Sequence, residues 1–439
     1  MTTQVQENVN EAEQGEELSF AEALEKRIQE GGPPELYRII LDWFCTYCIQ
    51  AGSFDQKRWL SKRVTRHIKT EEDALRKAKQ AVASLGHPLN VFLAGDNLRA
   101  RIALSDSEYV GCGFVFYPAK TEHGTAVLNR YHDFMPVVNE QGYPVIALVV
   151  PNSPADHAQF RPGDVVISIN GRSTKGRSID ELAEQIDYHA GTTVLVRRSV
   201  DKHPLRMVQA STPVPVVSDR FGDIGYIRIS TFLPEDMPAQ VEAALHELEN
   251  CHAIVLDVRG SPGGRAAVNV RALSLFLECG EAFRVINDGD EPLEMRYAVE
   301  TDGLIVPRSD GQAQVEPRLP YLLRHRPLFV LVDGNTRSAP EGFSQSLRDH
   351  NVATLVGSRT FGKGVVQVRL EVLKYAFIEA LFGRWISPGG TYIGDGGVTS
   401  PSGIVPDVTV PSSNGVLLGG KGDRVLEVAL ELAAKATAQ

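Results

Sequence analysis

The chain has 439 residues, of which 43% are apolar and 23% charged; this is ordinary globular composition and excludes a wholly disordered chain. Asp and Glu (55) outnumber Lys and Arg (45), and the net charge of −10 argues against broad, charge-driven binding to nucleic acid or anionic lipid. No apolar run reaches the roughly 18–20 residues that a membrane-spanning helix needs. The length allows about three domains of ordinary size.

The chain begins with a polar, acidic segment. Residues 1–18 predict a disordered tail because they contain few apolar residues. The first 20 residues hold five Glu and no Lys or Arg, so they lack the basic start and apolar stretch of an export leader. We therefore expect a cytoplasmic protein, or a periplasmic or extracellular one if a leader was removed.

Helical periodicity marks residues 19–107 as an N-terminal helical region. One helix carries Phe20, Leu24 and Ile28 on one face and ends at the Gly-Gly-Pro-Pro run of residues 31–34; others follow Pro34 and cover about 71–85. The second helix has an apolar stripe: Leu36, Ile40, Trp43, Phe44 and Tyr47. Cys45 and Cys48 are interpreted as apolar helix positions, since no second Cys-x-x-C completes a zinc site. The stripe is expected to pack on the body of the protein, with a homo-oligomer contact as the alternative.

Short strands and turns replace the helical pattern over residues 108–205. A glycine-punctuated strand starts at residues 111–114, Pro-Gly-Asp at 162–164 indicates a tight turn, and Ile-Asn-Gly at 169–171 ends the next strand. A helix that Ser178 can cap and a closing strand follow. This order resembles a PDZ domain, a β-barrel-like module that binds peptides.

Residues 206–439 alternate strands with helices and predict an α/β domain. Buried strands are expected over 225–229, 253–258, 328–332 and 353–356, with helices over 238–250, after residue 264 and up to about residue 350. Residues 281–325 show neither helical nor strand periodicity and are expected to be irregular. The whole chain is thus expected to be a multidomain α+β protein: disordered tail, N-terminal helices, PDZ domain and α/β core.

Several catalytic signatures do not occur in the sequence. There is no His-Glu-x-x-His and no Gly-x-Ser-x-Gly. Residues 357–364 begin like a phosphate-binding loop, but Gly364 stands where Ser or Thr would hold magnesium, and a strand pattern follows. We therefore expect neither a metal nor a nucleotide cofactor.

Ser338 and Lys363 are the strongest candidates for chemistry. Ser338 opens a Ser-Ala-Pro-Glu turn between a buried strand and a helix, Lys363 lies in Thr-Phe-Gly-Lys-Gly, and Gln367 follows four residues later. With the segments at 254–264 and 403–407, these motifs resemble the C-terminal processing (tail-specific) serine peptidases over about residues 75–410. The resemblance implies a Ser338–Lys363 dyad, supported by Gln367, on a ClpP/crotonase-like α/β core.

The chemistry of a serine–lysine pair is consistent with that expectation. A serine hydroxyl needs a base within hydrogen-bond reach, and a lysine can be that base only when neutral. Work near pH 7–8 requires the pKa of Lys363 to fall by about 3 from its usual value near 10.4, which burial beside Phe361 favours. The expected oxyanion donors are the backbone N–H of Ala339 and, as the resemblance suggests, of Gly263 or Gly264.

The PDZ domain indicates how substrate is recognised. An extended peptide can add as a strand while backbone N–H groups hold its terminal carboxylate. The candidate carboxylate loop is Gly111, Cys112, Gly113 and Phe114, whose alternative interpretation is a simple β-turn. Phe114 and the helix face with Leu182 and Ile186 favour protein or peptide substrates with apolar C-termini. The resemblance also implies that the PDZ domain gates the active site.

Each motif also has a purely structural interpretation. Ser338 and Glu341 match a helix capping box, and Gly263 with Gly264 is by itself a turn. Pro340 and Arg337 depart from the small residues that the family usually has beside its serine. The alternative is a catalytically silent, PDZ-containing peptide-binding scaffold on the same fold; a hydrolase of small esters is a more distant one.

Overall fold

The structure is a computed structural model that describes residues 20–48, 54–94, 108–121, 125–129, 133–186, 190–213, 216–287, 292–308, 312–372, 376–411, 418–420 and 422–438. The predicted disordered tail of residues 1–18 lies outside the described residues. Within the described ranges, no helix is both long enough and apolar enough to cross a membrane.

The described residues of the N-terminal region form four helices and one strand. They are α1 (Phe20–Tyr47), α2 (Gln56–Trp59), α3 (Lys62–Thr65), α4 (Glu71–Ala83) and β1 (Val91–Ala94). α1 is kinked at Gly32, where a φ of 65° breaks the helical path, so the prediction of two helices separated by residues 31–34 is confirmed. Thr70 caps α4: its side chain accepts a hydrogen bond from Asp73 N, and the Asp73 carboxylate accepts one from Thr70 N.

The apolar stripe of α1 packs inside this chain. Leu36, Ile40 and Phe44 are fully buried, in one cluster with Ile378 and Leu381 of the domain that follows the PDZ region. The expectation that the stripe packs on the body of the protein is therefore confirmed. A homo-oligomer contact through these helices stays a prediction and would have to use their outer face.

The PDZ region contains small antiparallel sheets. Its elements are β2 (Glu108–Gly111), β3 (Phe114–Val115), β4 (Leu148–Val149), α5 (Pro154–His157), β5 (Val166–Ile169), β6 (Arg172–Ser173), α6 (Ile179–Ala183), β7 (Thr193–Arg198), β8 (Leu205–Val208) and β9 (Ala210–Pro213). The strands β6-β5-β7-β8 form one sheet, and β2 pairs with β9 and β3 with β4. Ser178 caps α6, since Glu181 N donates to its hydroxyl at 3.2 Å.

A ribbon of short strands leaves the PDZ domain between β3 and β4. We call residues 117–138 the bridging ribbon; residues 122–124 and 130–132 within it are not described. Its backbone zigzags, with Val127 N donating to Ala119 O at 2.9 Å and Met135 N donating to Val127 O at 2.9 Å. The sequence pattern did not indicate this feature.

The last domain is built on two sheets. Its elements are β10 (Val217–Phe221), β11 (Ile224–Arg228), α7 (Met237–Glu247), β12 (Ala253–Asp257), α8 (Ala266–Leu273), β13 (Gly280–Asn287), β14 (Leu293–Glu300), β15 (Gly303–Pro307), β16 (Ala313–Glu316), β17 (Leu328–Val332), α9 (Ala339–Asp349), β18 (Ala353–Gly357), β19 (Val365–Val372), β20 (Ala376–Ile386), β21 (Val408–Thr409) and α10 (Arg424–Thr437). One sheet has the order β10-β11-β12-β17-β18-β21, parallel from β11 onward. The alternating strands and helices of the sequence prediction are confirmed there.

The second sheet corrects one expectation. Residues 281–325 were expected to be irregular, but β13, β14, β15 and β16 form consecutive antiparallel pairs in that segment. The sheet continues through β20 to β1 and β19. Strand β14 alternates buried residues with charged ones, so it lacks the continuous apolar run of the parallel strands.

The parallel sheet is covered on both faces. Helices α7, α8 and α9 cover one face in the largest apolar cluster, and α10 covers the other with Tyr226, Val255 and Leu331. The neighbouring strands β12, β17 and β18 all end at the same edge. The loops that leave those three strands contain the candidate catalytic residues, at the edge where α/β sheets usually bind ligands.

Candidate active site

Ser338 lies at the junction between β17 and α9. It directly precedes the helix and has φ 67° and ψ −117°, a left-handed conformation that costs a non-glycine residue roughly 1–3 kcal/mol. The side chain is half-buried. Pro340 occupies the first turn of α9, where its missing N–H removes no helical hydrogen bond, so its departure from the family pattern is compatible with the local fold.

Asp333 fixes the turn that leads to Ser338. Its carboxylate accepts hydrogen bonds from the backbone N–H of Asn335 at 3.0 Å and of Thr336 at 2.8 Å. The same oxygen accepts one from Gly260 N at 3.0 Å, in the loop that follows β12. The serine turn and the glycine loop are therefore tied to one buried carboxylate.

Gly263 and Gly264 occupy tightly packed positions beside the serine. A Cβ atom on Gly263 would lie 3.2 Å from the Cβ of Ser338, so this glycine directly faces the candidate nucleophile. A Cβ on Gly264 would lie 2.1 Å from the carbonyl of Phe232, which leaves room only for glycine. The structure thus brings Gly263, Gly264 and Ala339 together around Ser338.

Lys363 and Gln367 are in direct contact. The Lys363 ammonium donates a hydrogen bond to Gln367 Oε1, and Gln367 Nε2 donates one to the carbonyl of Leu89. The second bond points the amide oxygen toward the lysine. Leu89 comes from the N-terminal region, so that region helps to orient the lysine.

Glu341 joins the serine turn to the lysine loop. One oxygen of its fully buried carboxylate accepts hydrogen bonds from Ser338 N at 2.7 Å and from Lys363 N at 2.8 Å. The other oxygen accepts from Gly362 N and from the Thr360 hydroxyl. Burial raises the pKa of the Glu341 carboxyl, while these four donors act in the opposite direction.

The sequence indicated only part of this role for Glu341. A capping box accounts for its bond to Ser338 N, and that part is present. The bonds to Gly362 and Lys363 join residues that lie more than twenty positions apart, which no local pattern reveals. The available signal was an acidic residue three positions after a candidate nucleophile.

A second buried acid lies beside Lys363. Asp395 pairs with Lys363 through a backbone bridge, and its carboxylate is 3.7 Å from His87 Nε2. Burial by itself would raise the pKa of Asp395, but hydrogen bonds from His87 and Thr399 lower it below its usual range. His87 is itself buried.

Two cationic side chains flank the ring of Phe361. The ammonium of Lys120 lies 4.0 Å from the ring centroid and donates to Phe361 O, and the Arg337 guanidinium carbon lies 5.4 Å from the centroid. Arg337 also donates through Nε to Pro262 O at 3.3 Å, so its side chain lies along the glycine loop. Desolvation lowers the pKa of Lys120 to about 8.

The candidate carboxylate loop lies in the PDZ core. Gly113 has φ 91°, and a Cβ there would lie 1.9 Å from the Ser153 hydroxyl, so the loop packs directly on the turn before α5. The carbonyls of Cys112 and Gly113 accept hydrogen bonds from Ala155 N and Val150 N, both at 2.7 Å. Phe114, Leu182 and Ile186, expected to line a groove, are buried in one apolar cluster.

Comparison with protein families identifies both modules. Residues 223–410, which carry Ser338, Lys363 and Gln367, match the model of peptidase family S41. This segment is therefore similar to an S41 peptidase domain. Residues 145–197 match the model of a PDZ domain. The resemblance to C-terminal processing peptidases noted in the sequence is confirmed.

Curated relatives carry names of the same kind. The chain is 29% identical over 262 residues to "Probable CtpA-like serine protease" of Staphylococcus aureus (strain COL), covering 59% of this chain and 48% of that protein. It is 25% identical to the protein of the same name from Staphylococcus epidermidis (strain ATCC 12228 / FDA PCI 1200), covering 59% and 49%. The chain thus spans about half the length of the curated relatives it matches.

Solved structures share the fold. The photosystem II D1 C-terminal processing protease superposes with a TM-score of 0.59 at 19% identity, covering 86% of this chain and 93% of that one. The "Putative S41 protease from Bacteroides fragilis NCTC 9343" superposes with a TM-score of 0.53 at 14% identity, covering 90% of this chain and 97% of that one. The predicted order of N-terminal helices, PDZ domain and S41 core is thereby confirmed as a known architecture.

Proposed function

We propose that this protein is a serine endopeptidase in which Ser338 is the nucleophile and Lys363 the general base. The observation that carries the proposal is the shared Glu341 carboxylate, which binds the backbone N–H of both residues and so holds the serine turn against the lysine loop. The contact between Lys363 and Gln367 supports a positioning role for Gln367.

The proposed reaction is acyl transfer in two steps. The neutral amine of Lys363 takes the proton of the Ser338 hydroxyl as its oxygen attacks the scissile carbonyl, and the resulting ammonium returns that proton to the leaving amine. Water then hydrolyses the acyl-enzyme with Lys363 again acting as base. Backbone N–H groups of Ala339 and of Gly263 or Gly264 stabilise the oxyanion, each worth about 2.7–4 kcal/mol in comparable sites.

The PDZ domain is proposed to select substrates by their C-terminal tails. The matched PDZ module supports recognition of a C-terminal tail, and the preference for apolar C-terminal residues stays a prediction from the sequence. Contacts between the bridging ribbon and the S41 domain support gating, since Ala126 N donates to Gly397 O at 2.9 Å. The compartment stays a prediction from the sequence.

The experiment that tests the proposal is covalent labelling of Ser338. A fluorophosphonate probe is expected to modify the wild-type protein at Ser338, located by peptide mass spectrometry, and to leave the Ser338→Ala variant unmodified. Ser173→Ala, which changes an exposed serine of the PDZ domain, is the matched control and is expected to label like wild type. Equal labelling of Ser338→Ala, or no labelling of wild type, would favour the peptide-binding scaffold.

The same assay tests gating. A peptide with an apolar C-terminal residue and a free carboxylate is expected to change the labelling rate, whereas the same peptide with an amidated C-terminus should not. Equal rates with both peptides would contradict control of the site by PDZ occupancy.

A further inference from the structure

One strand of the bridging ribbon contacts both loops that would carry the catalytic groups. The Tyr117 hydroxyl donates to Gly260 O at 2.7 Å, at the start of the glycine loop. Three residues later, the Lys120 ammonium donates to Phe361 O, two residues before Lys363. Each bond crosses more than 140 positions of sequence, so the ribbon links two loops that lie far from it along the chain.

The Lys120 ammonium is held mainly by neutral groups. Its acceptors are the Phe361 carbonyl and the Ser402 hydroxyl, the latter at 3.3 Å, and the Phe361 ring lies beneath it. Around it lie the carboxylates of Glu341 and Asp395, which favour its charge, and the cations Arg337 and Arg359, which oppose it. The side chain at position 120 must therefore be long and cationic, so that it can cross the Phe361 ring and donate to the Phe361 carbonyl.

Aromatic contacts add to this attachment. The Phe134 ring, on the third strand of the ribbon, lies 6.0 Å from the Phe361 ring in an edge-on arrangement. Phe361 N in turn donates to Thr336 O at 3.0 Å, in the turn that leads to Ser338. Phe361 is therefore a junction between the ribbon, the lysine loop and the serine turn.

We propose that Tyr117 and Lys120 are positioning residues of the peptidase site, holding the glycine loop and the lysine loop at the spacing that acyl transfer at Ser338 requires. This inference rests on the proposed function. The ribbon lies outside both residue ranges that match family models, so neither model assigns it a role. Asp333 and Glu341 tie each loop to the serine turn from inside the core, and the ribbon ties them to each other from the PDZ side.

The test combines kinetics with hydrogen exchange in the full-length protein. Lys120→Met is expected to lower kcat for an unfolded protein substrate at least tenfold with KM within about twofold, because a displacement of about 1 Å can cost a hundredfold in rate. Lys120→Arg, which keeps a cationic donor, should recover part of that loss. Tyr117→Phe should lower kcat in the same way, with a smaller effect.

Controls separate positioning from general damage. Lys202→Met removes an exposed PDZ lysine, and Val137→Ala shortens a side chain of the ribbon that is 44% exposed; both should keep wild-type kinetics. Amide exchange in peptides covering residues 360–364 should accelerate in Lys120→Met and not in Lys202→Met. Thermal melting identifies any variant that fails to fold. If Lys120→Met fails to fold, the kinetics of Lys120→Arg are compared with wild type instead.

The outcomes distinguish the two proposals. Wild-type activity with unchanged kcat and unchanged exchange in Lys120→Met and Tyr117→Phe would overturn the positioning role and leave the peptidase intact. A wild-type protein that neither cleaves nor labels at Ser338 would overturn the proposed function and this inference with it. An equal loss in Lys120→Arg and Lys120→Met, with a matching fall in melting temperature, would indicate a merely structural lysine.

Discussion

At the scale of single residues, Glu341 determines how the candidate site is assembled. Its buried carboxylate accepts four hydrogen bonds, three of them from backbone N–H groups. A glutamine amide at this position would present only one acceptor oxygen. Its NH2 group would then face the hydrogen-bond donors that the second carboxylate oxygen now accepts from. The geometry therefore favours a carboxyl group over an amide at this position.

Glu341→Gln is expected to destabilise the fold and to lower activity. Leaving buried donors unpaired costs about 1–3 kcal/mol each, so a loss of about 2–4 kcal/mol is expected in urea unfolding. Cleavage activity should fall more than tenfold because the lysine loop loses its attachment to the serine turn. Glu249→Gln, at an exposed position, is the control. Wild-type stability and rate in Glu341→Gln would contradict the linking role.

The individual roles at this scale were partly accessible from the sequence. Ser338, Lys363 and Gln367 stood in recognisable motifs, and the structure places Lys363 and Gln367 in contact. Lys120 and Tyr117 were not recognised, because their partners lie more than 140 residues away and nothing in their own neighbourhood differs from an ordinary strand. Long-range contacts of this kind follow from tertiary packing alone.

At the scale of structural elements, the glycine loop depends on close backbone approach. Phe232 N donates to Gly263 O at 2.9 Å and Arg265 N donates to Phe232 O at 3.0 Å, which presses the loop against the segment after β11. This contact aims Gly263 at Ser338. A side chain at Gly264 cannot be accommodated without moving one of the two segments.

Gly264→Ala is expected to disrupt this loop. Its Cβ would fall 2.1 Å from backbone atoms of Phe232, so the loop must shift; overpacking of this kind costs about 1–3 kcal/mol and should also lower kcat. Gly334→Ala is the matched control, because its Cβ would meet only Arg359 O at 3.7 Å. Chemical unfolding and cleavage rates measure both effects. Equal behaviour of the two variants would show that the loop is not constrained as described.

Elements were predictable where their patterns were strong. The parallel strands β12 and β17 are continuous apolar runs and were predicted within one residue. Strands β14 and β16 were missed because they mix charged or polar residues with apolar ones and are partly exposed. The bridging ribbon was missed because isolated β-bridges between very short segments hold it together. Such short segments produce no periodic pattern in the sequence.

At the scale of the whole molecule, a buried ionic cluster joins the sheet to the C-terminal helix. Arg259 donates to both oxygens of Asp257, at 2.9 and 2.6 Å, and to both oxygens of Asp423, at 2.7 and 2.6 Å. Asp423 also caps α10, accepting from Leu426 N at 3.2 Å. Burial alone would raise the pKa of Asp257, but the charges and donors of Arg259 hold it below its usual value.

The stability of this cluster should depend on pH. Because the pKa of Asp257 is lower in the folded than in the unfolded chain, its contribution is fully present above about pH 4 and is lost as the pH falls through the folded value. Asp257→Asn is expected to cost about 3–5 kcal/mol at pH 7, the usual cost of breaking a buried pair. The difference in unfolding free energy between wild type and Asp257→Asn should narrow below pH 4. Urea unfolding at pH 7, 5 and 3.5 measures this difference. A free-energy difference that stays constant with pH would contradict the role of Asp257. An equal loss of stability in Asp219→Asn, the control at an exposed position, would also contradict it.

The architecture followed from the sequence more completely than the contacts between its parts. Helices, PDZ domain and S41 core were predicted in the right order because each has its own motifs or periodicity. How they meet was not predictable: the N-terminal region supplies Leu89 to Gln367, and the ribbon supplies Lys120 to Phe361. Both contacts depend on side chains that carry no signature of their own.

The most direct test of the proposed peptidase activity is cleavage of an unstructured protein with an apolar C-terminus at pH 8, comparing wild type with Ser338→Ala and Lys363→Ala. Cleavage by wild type is expected, with a loss of at least a thousandfold in both variants, since removing a member of a nucleophile–base pair typically costs several orders of magnitude. Cleavage by Ser338→Ala at the wild-type rate would contradict the assignment of the nucleophile. Binding of the substrate tail without cleavage by wild type would contradict the peptidase and favour the scaffold.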